Sequence, residues 1–286
     1  MIIVKIWGGI GNQLFQYVFG QYLHYRYQQE VRYDDNAFVS VDKLRKRELD
    51  ALSADLEYDN RCIFSRFRGI KNRLLRYGFQ LNPKHHFVQE GKNFPMTFDK
   101  EHLYFFQGYW QDVKYYNWLK ENVPDFELRS KLFPKELESL RNQIDSSNNS
   151  ASLHVRRGDY FAPHFIKTFG VCDSHYFEKS ISILLQQKHQ AQLFVFSDDL
   201  DWVKNNIKLP VSAVLIPNYN ISQFAYIELM SFCKHHIISN SSFSWWGAVM
   251  NALDDAIVIC PSKWLLTSNK TIAKSDWTKI DITNKN

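Results

Sequence analysis

The spacing of apolar positions changes period along the chain. Residues 2–7, Ile-Ile-Val-Lys-Ile-Trp, form a short apolar run that predicts a buried strand. Gly8, Gly9 and Gly11 follow, and Leu14, Phe15, Val18, Tyr22 and Tyr25 then recur at helical spacing. Residues 31–35 predict a second strand, residues 103–110 another, and residues 111–122 a helix with Asp112 near its start. Pro134 suits the first turn of a helix that runs to about Asp145. The segment 61–76 interleaves Arg61, Arg66, Arg68, Lys71, Arg73 and Arg76 with Ile63, Phe64, Phe67, Ile70, Leu74 and Leu75. Such a basic amphipathic segment fits a surface helix, or a peripheral contact with an anionic membrane or lipid-linked substrate.

A Ser/Asn run at 146–150 marks the expected domain boundary. Beyond it, strands at 151–157, 193–196, 213–217, 236–239 and 256–260 alternate with helices at 174–188, near 202–206, at 222–233 and from about 243. That alternation predicts a parallel sheet covered on both faces, with ligands at the carboxyl ends of its strands. Polar clusters fall at three of those ends, at 156–159, 197–199 and 240–244. Within 151–157, side chains alternate, so Leu153, Val155 and Arg157 share one face and His154 and Arg156 the other.

Composition narrows the class. Hydrophobic residues make up 45% and aromatics 16%, enough for a packed core. Lys plus Arg minus Asp plus Glu is 35 − 30 = +5, with a pI of about 8.8. This mild basicity suits an anionic ligand or membrane surface, and no motif points to nucleic acid. Cys62, Cys172, Cys233 and Cys260 are far apart and read as thiols in a reducing compartment, not as a zinc site. Residues 1–7 have no secretory-signal pattern, and no apolar run reaches spanning length, so a cytoplasmic location is expected.

The polar clusters allow specific chemistry. Arginine's planar fork matches phosphate oxygens, so Arg156 and Arg157 suit an anion. Equally, Arg157 suits an ion pair with Asp159. The glycine loop at 8–11 is a phosphate cradle or a tight turn into a helix. It is not a Walker loop, and Leu14 stands where a dinucleotide fingerprint needs a third glycine. Ser241 and Ser242 suit helix caps or phosphate contacts. Asp198 and Asp199 suit Mg²⁺, a base or ribose contact, or a cap for the helix at Trp202. Asp34 and Asp35 read as a solvated turn, and His235 and His236 as structural. Trp110, Tyr115, Tyr116 and Trp118 suit sugar stacking or core packing. No GxSxG or HExxH motif supports a hydrolase.

Four blocks then carry a resemblance: GGIGNQLFQY at 8–17, HVRRGDY at 154–160, FSDDLDW at 196–202 and HHIISNSSFSWWGA at 235–248. In type and order they resemble the bacterial alpha-1,2-fucosyltransferases of glycosyltransferase family 11. The resemblance implies an α/β fold of two Rossmann-like domains in GT-B-type architecture. Residues 1–147 would form an acceptor-side domain and 148–286 a GDP-sugar-binding domain. It implies inverting transfer of L-fucose from GDP-L-fucose to a galactose hydroxyl, with no metal and no cofactor beyond the donor. His154 would meet the nucleoside, Arg156 the β-phosphate, and Asp159 would orient the arginines, with Arg157 counted among the donor-binding residues. Ser241, Ser242 and Phe243 would line the pyrophosphate, and Gly9, Gly11 and Asn12 would close over phosphates and sugar from the first domain. Relatives often have an acid where this chain has Tyr226, which leaves the guanine contact to Glu228 or Asp198. The acceptor would be a galactose-terminated, lipid-linked or lipopolysaccharide-type oligosaccharide, reached at the inner face of the membrane. No side chain stands out as the base. Two other readings remain: a related inverting transferase with another nucleotide sugar, and a non-catalytic nucleotide-sugar or glycan-binding module.

Overall fold

The computed structural model describes residues 1–158, 168, 170–251, 253–268 and 271–282. The chain forms two compact units, Met1–Lys131 and Leu132–Asn286.

The first unit begins with β1 (Ile2–Lys5), whose four residues are all buried, as a parallel strand covered on both faces requires. Next come α1 (Ile10–Tyr27), β2 (Val31–Asp34), the single-turn α2 (Ala37–Ser40), α3 (Gly69–Gln80), β3 (His85–Gln89), β4 (Leu103–Gln107) and α4 (Val113–Asn122). The strands pair in the order β2-β1-β4-β3, every pair parallel. One face is packed by Ile3, Phe64 and Phe105 with Leu75 and Phe79 of α3. On α1, Phe19 stacks on Trp110 with ring centroids 4.1 Å apart and meets Phe106 and Tyr115 edge-on. Trp110, Tyr115 and Tyr116 are therefore core residues. The basic segment is not one helix: a 3₁₀ turn at Ile63–Arg66 precedes α3, which starts at Gly69 in the left-handed region (φ 64°).

The second unit opens with α5 (Lys135–Ser146), followed by β5 (Ser150–Val155), α6 (Ser174–Gln187), β6 (Gln192–Ser197), α7 (Leu200–Asn206), β7 (Val214–Leu215), α8 (Gln223–Ser231), β8 (His235–Ile237), α9 (Ser242–Val249), β9 (Val258–Pro261) and β10 (Thr278–Ile280). Strand order is β10-β9-β8-β5-β6-β7, again all parallel. Leu153 and Val155 of β5, Leu193 and Val195 of β6, Ile237 and Ile259 pack beneath Tyr176, Phe177 and Leu184 of α6. Short polar side chains start the helices: Asp173, Asp199, Ser222 and Ser241 each accept a backbone N–H of the first turn.

The division between units falls at 131/132, ahead of the expected 147/148. Helix α5 is the reason. Its Leu137, Leu140 and Ile144 are buried, Arg141 lies over the Phe232 ring, and Phe133 meets the same ring edge-on. The Ser/Asn run thus joins two elements of one unit. The adjacent acids at the end of β2 also differ from expectation. Asp34 is fully buried against Asn36, and Asp35 pairs with Arg47 at 2.6 Å. Burial pushes the Asp34 carboxyl up to about 6. All four cysteines are buried free thiols.

Candidate active site

In the second sheet the chain runs from β5 through β6 to β7 on one side, then returns to β8, β9 and β10 on the other. The order reverses around β5, and ligands of open parallel sheets bind at such a reversal. A cavity of about 240 Å³ opens there. His154 of β5 and Arg156 just after it line it, with Asp198 after β6 and Phe243 of α9. The strand alternation holds to its last residues. Leu153 and Val155 enter the core, while His154 and Arg156 reach the cavity.

The aspartates after β6 take separate partners. Asp198 Oδ2 lies 3.0 Å from Arg156 Nη1, and its Oδ1 accepts the Arg157 backbone N–H at 2.9 Å. Asp199 Oδ1 accepts the Trp202 N–H at 3.0 Å and caps α7, while Oδ2 lies 3.2 Å from Arg157 Nε. The Arg157 guanidinium stands 3.7 Å from the Trp202 ring centroid. Arg157 is thus drawn to the α7 side by Asp199 and Trp202. Asp159, the partner expected from sequence, lies outside the described residues. Gly158 has a steric role: a Cβ there would stand 2.5 Å from Asp198 Oδ2 and 3.9 Å from Arg156 Cζ.

His154 is buried, with Nδ1 2.9 Å from Ser239 Oγ and its ring stacked on Phe243 at 5.3 Å. Burial, reinforced by the Arg156 charge, lowers its pKa to about 3, so the imidazole is neutral at physiological pH. It offers hydrogen bonds without adding positive charge. Ser241 Oγ accepts the Phe243 N–H at 3.3 Å, and Ser242 opens α9 next to the cavity-lining Phe243. A helix N-terminus at this place favours an anion.

Of the two acids expected near a base, Asp198 lines the cavity, whereas Glu228 is buried on α8 outside its wall. Tyr226 occupies the wall instead. Its hydroxyl accepts the Tyr219 N–H at 2.6 Å and donates to the Pro217 carbonyl at 3.1 Å, fixing the loop after β7. Sequence reasoning missed Asn218 and Gln223, which also line the cavity. Their signal was position alone, at the carboxyl end of β7 and the start of α8.

The first unit has its own reversal, between β1 and β4. Gly8 takes φ 84°, where a side chain would be strained, and its N–H donates to Asp42 Oδ2 at 2.7 Å. Buried Gln13 donates to the Gly8 and Lys46 carbonyls at 2.8 and 2.9 Å. Asn12 accepts from Gln111 Nε2 at 2.9 Å, a bond that spans the reversal. Gly9 precedes α1, and Gly11 is buried in its first turn. Among the described residues no group of three or more His, Cys, Asp and Glu is placed to hold a metal ion.

Comparison with known proteins adds to this geometry. Residues 79–281 match Glycosyl transferase family 11. The O-antigen biosynthesis glycosyltransferase WbnK of Escherichia coli is 30% identical, over 92% of this chain and 95% of its own. The alpha-1,2-colitosyltransferase of Escherichia coli is also 30% identical, over 92% of each chain. Fucosyltransferase NodZ from Bradyrhizobium shares the fold with a TM-score of 0.53 at 13% identity, covering 87% of this chain and 92% of its own. The fold is accordingly GT-B-like.

Proposed function

The chain belongs to glycosyltransferase family 11, and from that premise we propose that it transfers L-fucose from GDP-L-fucose to a galactose hydroxyl. The linkage formed is alpha-1,2, with inversion at the fucose carbon. The acceptor is a galactose-terminated, lipid-linked oligosaccharide of O-antigen type. The observation that carries this reading is Arg156, held at the cavity by Asp198 beside a neutral His154 and the start of α9. NodZ has been crystallised with GDP, which supports a guanosine diphosphate in a fold of this kind.

The chemistry follows from charge. As the bond between the fucose carbon and the phosphate oxygen breaks, negative charge grows on the departing diphosphate. A donor aimed at that oxygen strengthens as the charge develops, and one such donor contributes on the order of 3 kcal/mol. The Arg156 guanidinium is that donor, and the first-turn N–H groups of α9 add a favourable dipole. His154 binds the nucleoside side of the donor through neutral hydrogen bonds. Asp198 orients Arg156, and it or the Asn218 and Gln223 amides meet the guanine edge. Ser241 and Ser242 complete the proposed set of donor-binding residues in this unit. Two positive elements on the diphosphate make a divalent metal unnecessary in this scheme.

No helix among the described residues is long and apolar enough to cross a membrane. The four buried thiols support a cytoplasmic location.

A second reading has a specific basis. The colitosyltransferase is as similar as WbnK, which supports a colitosyl donor as the alternative. Thermal shift across a panel of nucleotide sugars, followed by linkage analysis of products from a panel of galactosides, separates the two. GDP-fucose consumption with a new alpha-1,2-fucosyl galactoside supports the proposal. Stabilisation by GDP-sugars with no transfer of fucose from GDP-fucose to any galactoside would overturn it.

A further inference from the structure

Helix α3 carries two apolar stripes where a surface helix needs one. Leu75 and Phe79 form the inner stripe and pack on Phe64, Ile3 and Phe105. Ile70, Leu74, Tyr77 and Leu81 form the second, spaced by four, three and four residues. At 100° per residue it lies about 150° around the axis from the first. These side chains are 73%, 65%, 65% and 66% exposed, and α3 has no buried residue. Four large apolar groups aligned on an exposed helix face form a patch, not scattered surface residues.

The charges around the stripe are of one sign. Residues 61–84 contain Arg61, Arg66, Arg68, Lys71, Arg73, Arg76 and Lys84 and no Asp or Glu. Arg61 and Lys84 are paired with Asp59 and Glu101 outside the segment. Within α3 the cations Lys71 and Arg73 flank the stripe. Lys71 lies 3.8 Å over the Phe67 ring and Arg76 4.6 Å over Phe87. The Phe67 ring holds the Lys71 ammonium beside the apolar stripe, whereas Phe87, packed with Leu75 and Phe79, draws Arg76 to the inner side.

We infer that the outer face of α3 docks on an anionic lipid bilayer, with Ile70, Leu74, Tyr77 and Leu81 entering the headgroup boundary and Lys71 and Arg73 meeting lipid phosphates. The helix lies in the surface plane and does not span it. An apolar stripe edged by cations matches such a surface in both polarity and charge. A second copy of the chain would bring the same cations against each other, which disfavours it as the occupant. Vesicle binding is read without substrate, so it stands apart from the donor and acceptor proposed above.

The test is co-sedimentation of the full chain with vesicles of phosphatidylcholine and phosphatidylglycerol at 3:1, against vesicles of phosphatidylcholine alone. The wild-type chain should pellet with the anionic vesicles only, and less so as salt rises. Ile70→Ser, Leu74→Ser and Tyr77→Ser combined should lower the partition at least tenfold with the melting temperature unchanged. Lys71→Gln with Arg73→Gln should lower it severalfold, a result independent of the apolar substitutions. No binding by the wild-type chain, or equal binding by both variants, overturns the inference. So does a concentration-dependent dimer that the apolar variant abolishes in the absence of vesicle binding.

Discussion

The Arg157 guanidinium lies 3.7 Å from the centre of the Trp202 ring, with Asp199 at its edge, while its neighbour Arg156 reaches the cavity. The adjacent arginines that follow β5 therefore serve different ends. Lysine keeps the charge of either but loses the planar fork. Arg156→Lys should leave the fold intact and cut turnover on the order of 100-fold, the loss of one donor to the departing oxygen. Arg157→Lys should retain most turnover and lose about 1 kcal/mol of stability with the stacked contact. Turnover and melting temperature of both variants decide this. An inactive, well-folded Arg157→Lys would reverse the assignment.

Gly158 tests the same carboxylate from the other side. A methyl group there would stand 2.5 Å from Asp198 Oδ2, an oxygen already engaged by Arg156. Gly158→Ala should push Asp198 off Arg156, so that GDP competes with no counter-ion and binds more tightly, while kcat falls severalfold because the guanidinium is no longer oriented, with little change in melting temperature. An unchanged kcat would show that Asp198 does not position the arginine.

Protonation of His154 gives a stability signature. Its folded pKa of about 3 lies below the ordinary 6.5, so the fold favours the neutral ring. Its contribution is complete above pH 6.5 and is lost progressively as pH falls toward 3, because the unfolded chain takes up the proton first. His236, also lowered to about 3, has the same sign. Asp34, raised to about 6, has the opposite one: its contribution is lost as pH rises through 6. The His154 share is isolated by difference. Between pH 7 and 4.5, His154→Gln should lose about 2–3 kcal/mol less stability than wild type. Equal losses, measured by denaturant titration at both pH values, would remove His154 as a buried neutral group.

Activity should survive excess EDTA. Asp198 and Asp199 are each committed to an arginine, and arginine with a helix terminus can balance a diphosphate. Loss on chelation that Mg²⁺ or Mn²⁺ restores would refute this.

GDP should raise the melting temperature by binding linkage and slow amide exchange at residues 154–158. No rise in melting temperature and no protection at this strand end would remove it from the donor site.

Much of this was legible in the sequence because it rests on local rules. The 151–157 alternation placed His154 and Arg156 together, since two faces of one strand leave no other choice. The positions of Ser241 and Asp199 just before helical patterns foretold their caps. What escaped depended on contacts between distant residues. The unit division moved because α5 buries Leu137, Leu140 and Ile144, and a polar linker does not reveal which side a helix joins. Asp34 looked like a turn residue, yet its neighbours enclose it. The need for glycine at 158 comes from Asp198, forty residues on, and no local pattern reports it.

Asp198 also bears on the catalytic cycle. Its carboxylate ties the Arg157 backbone to the Arg156 side chain. An incoming diphosphate must compete with an anion already in place, so binding is an exchange of partners. The exchange weakens affinity for donor and product alike, and it also limits product inhibition. When GDP leaves, Arg156 has a counter-ion in Asp198. Asp198→Asn should therefore bind GDP more tightly and release it more slowly, with release overtaking chemistry as the slow step.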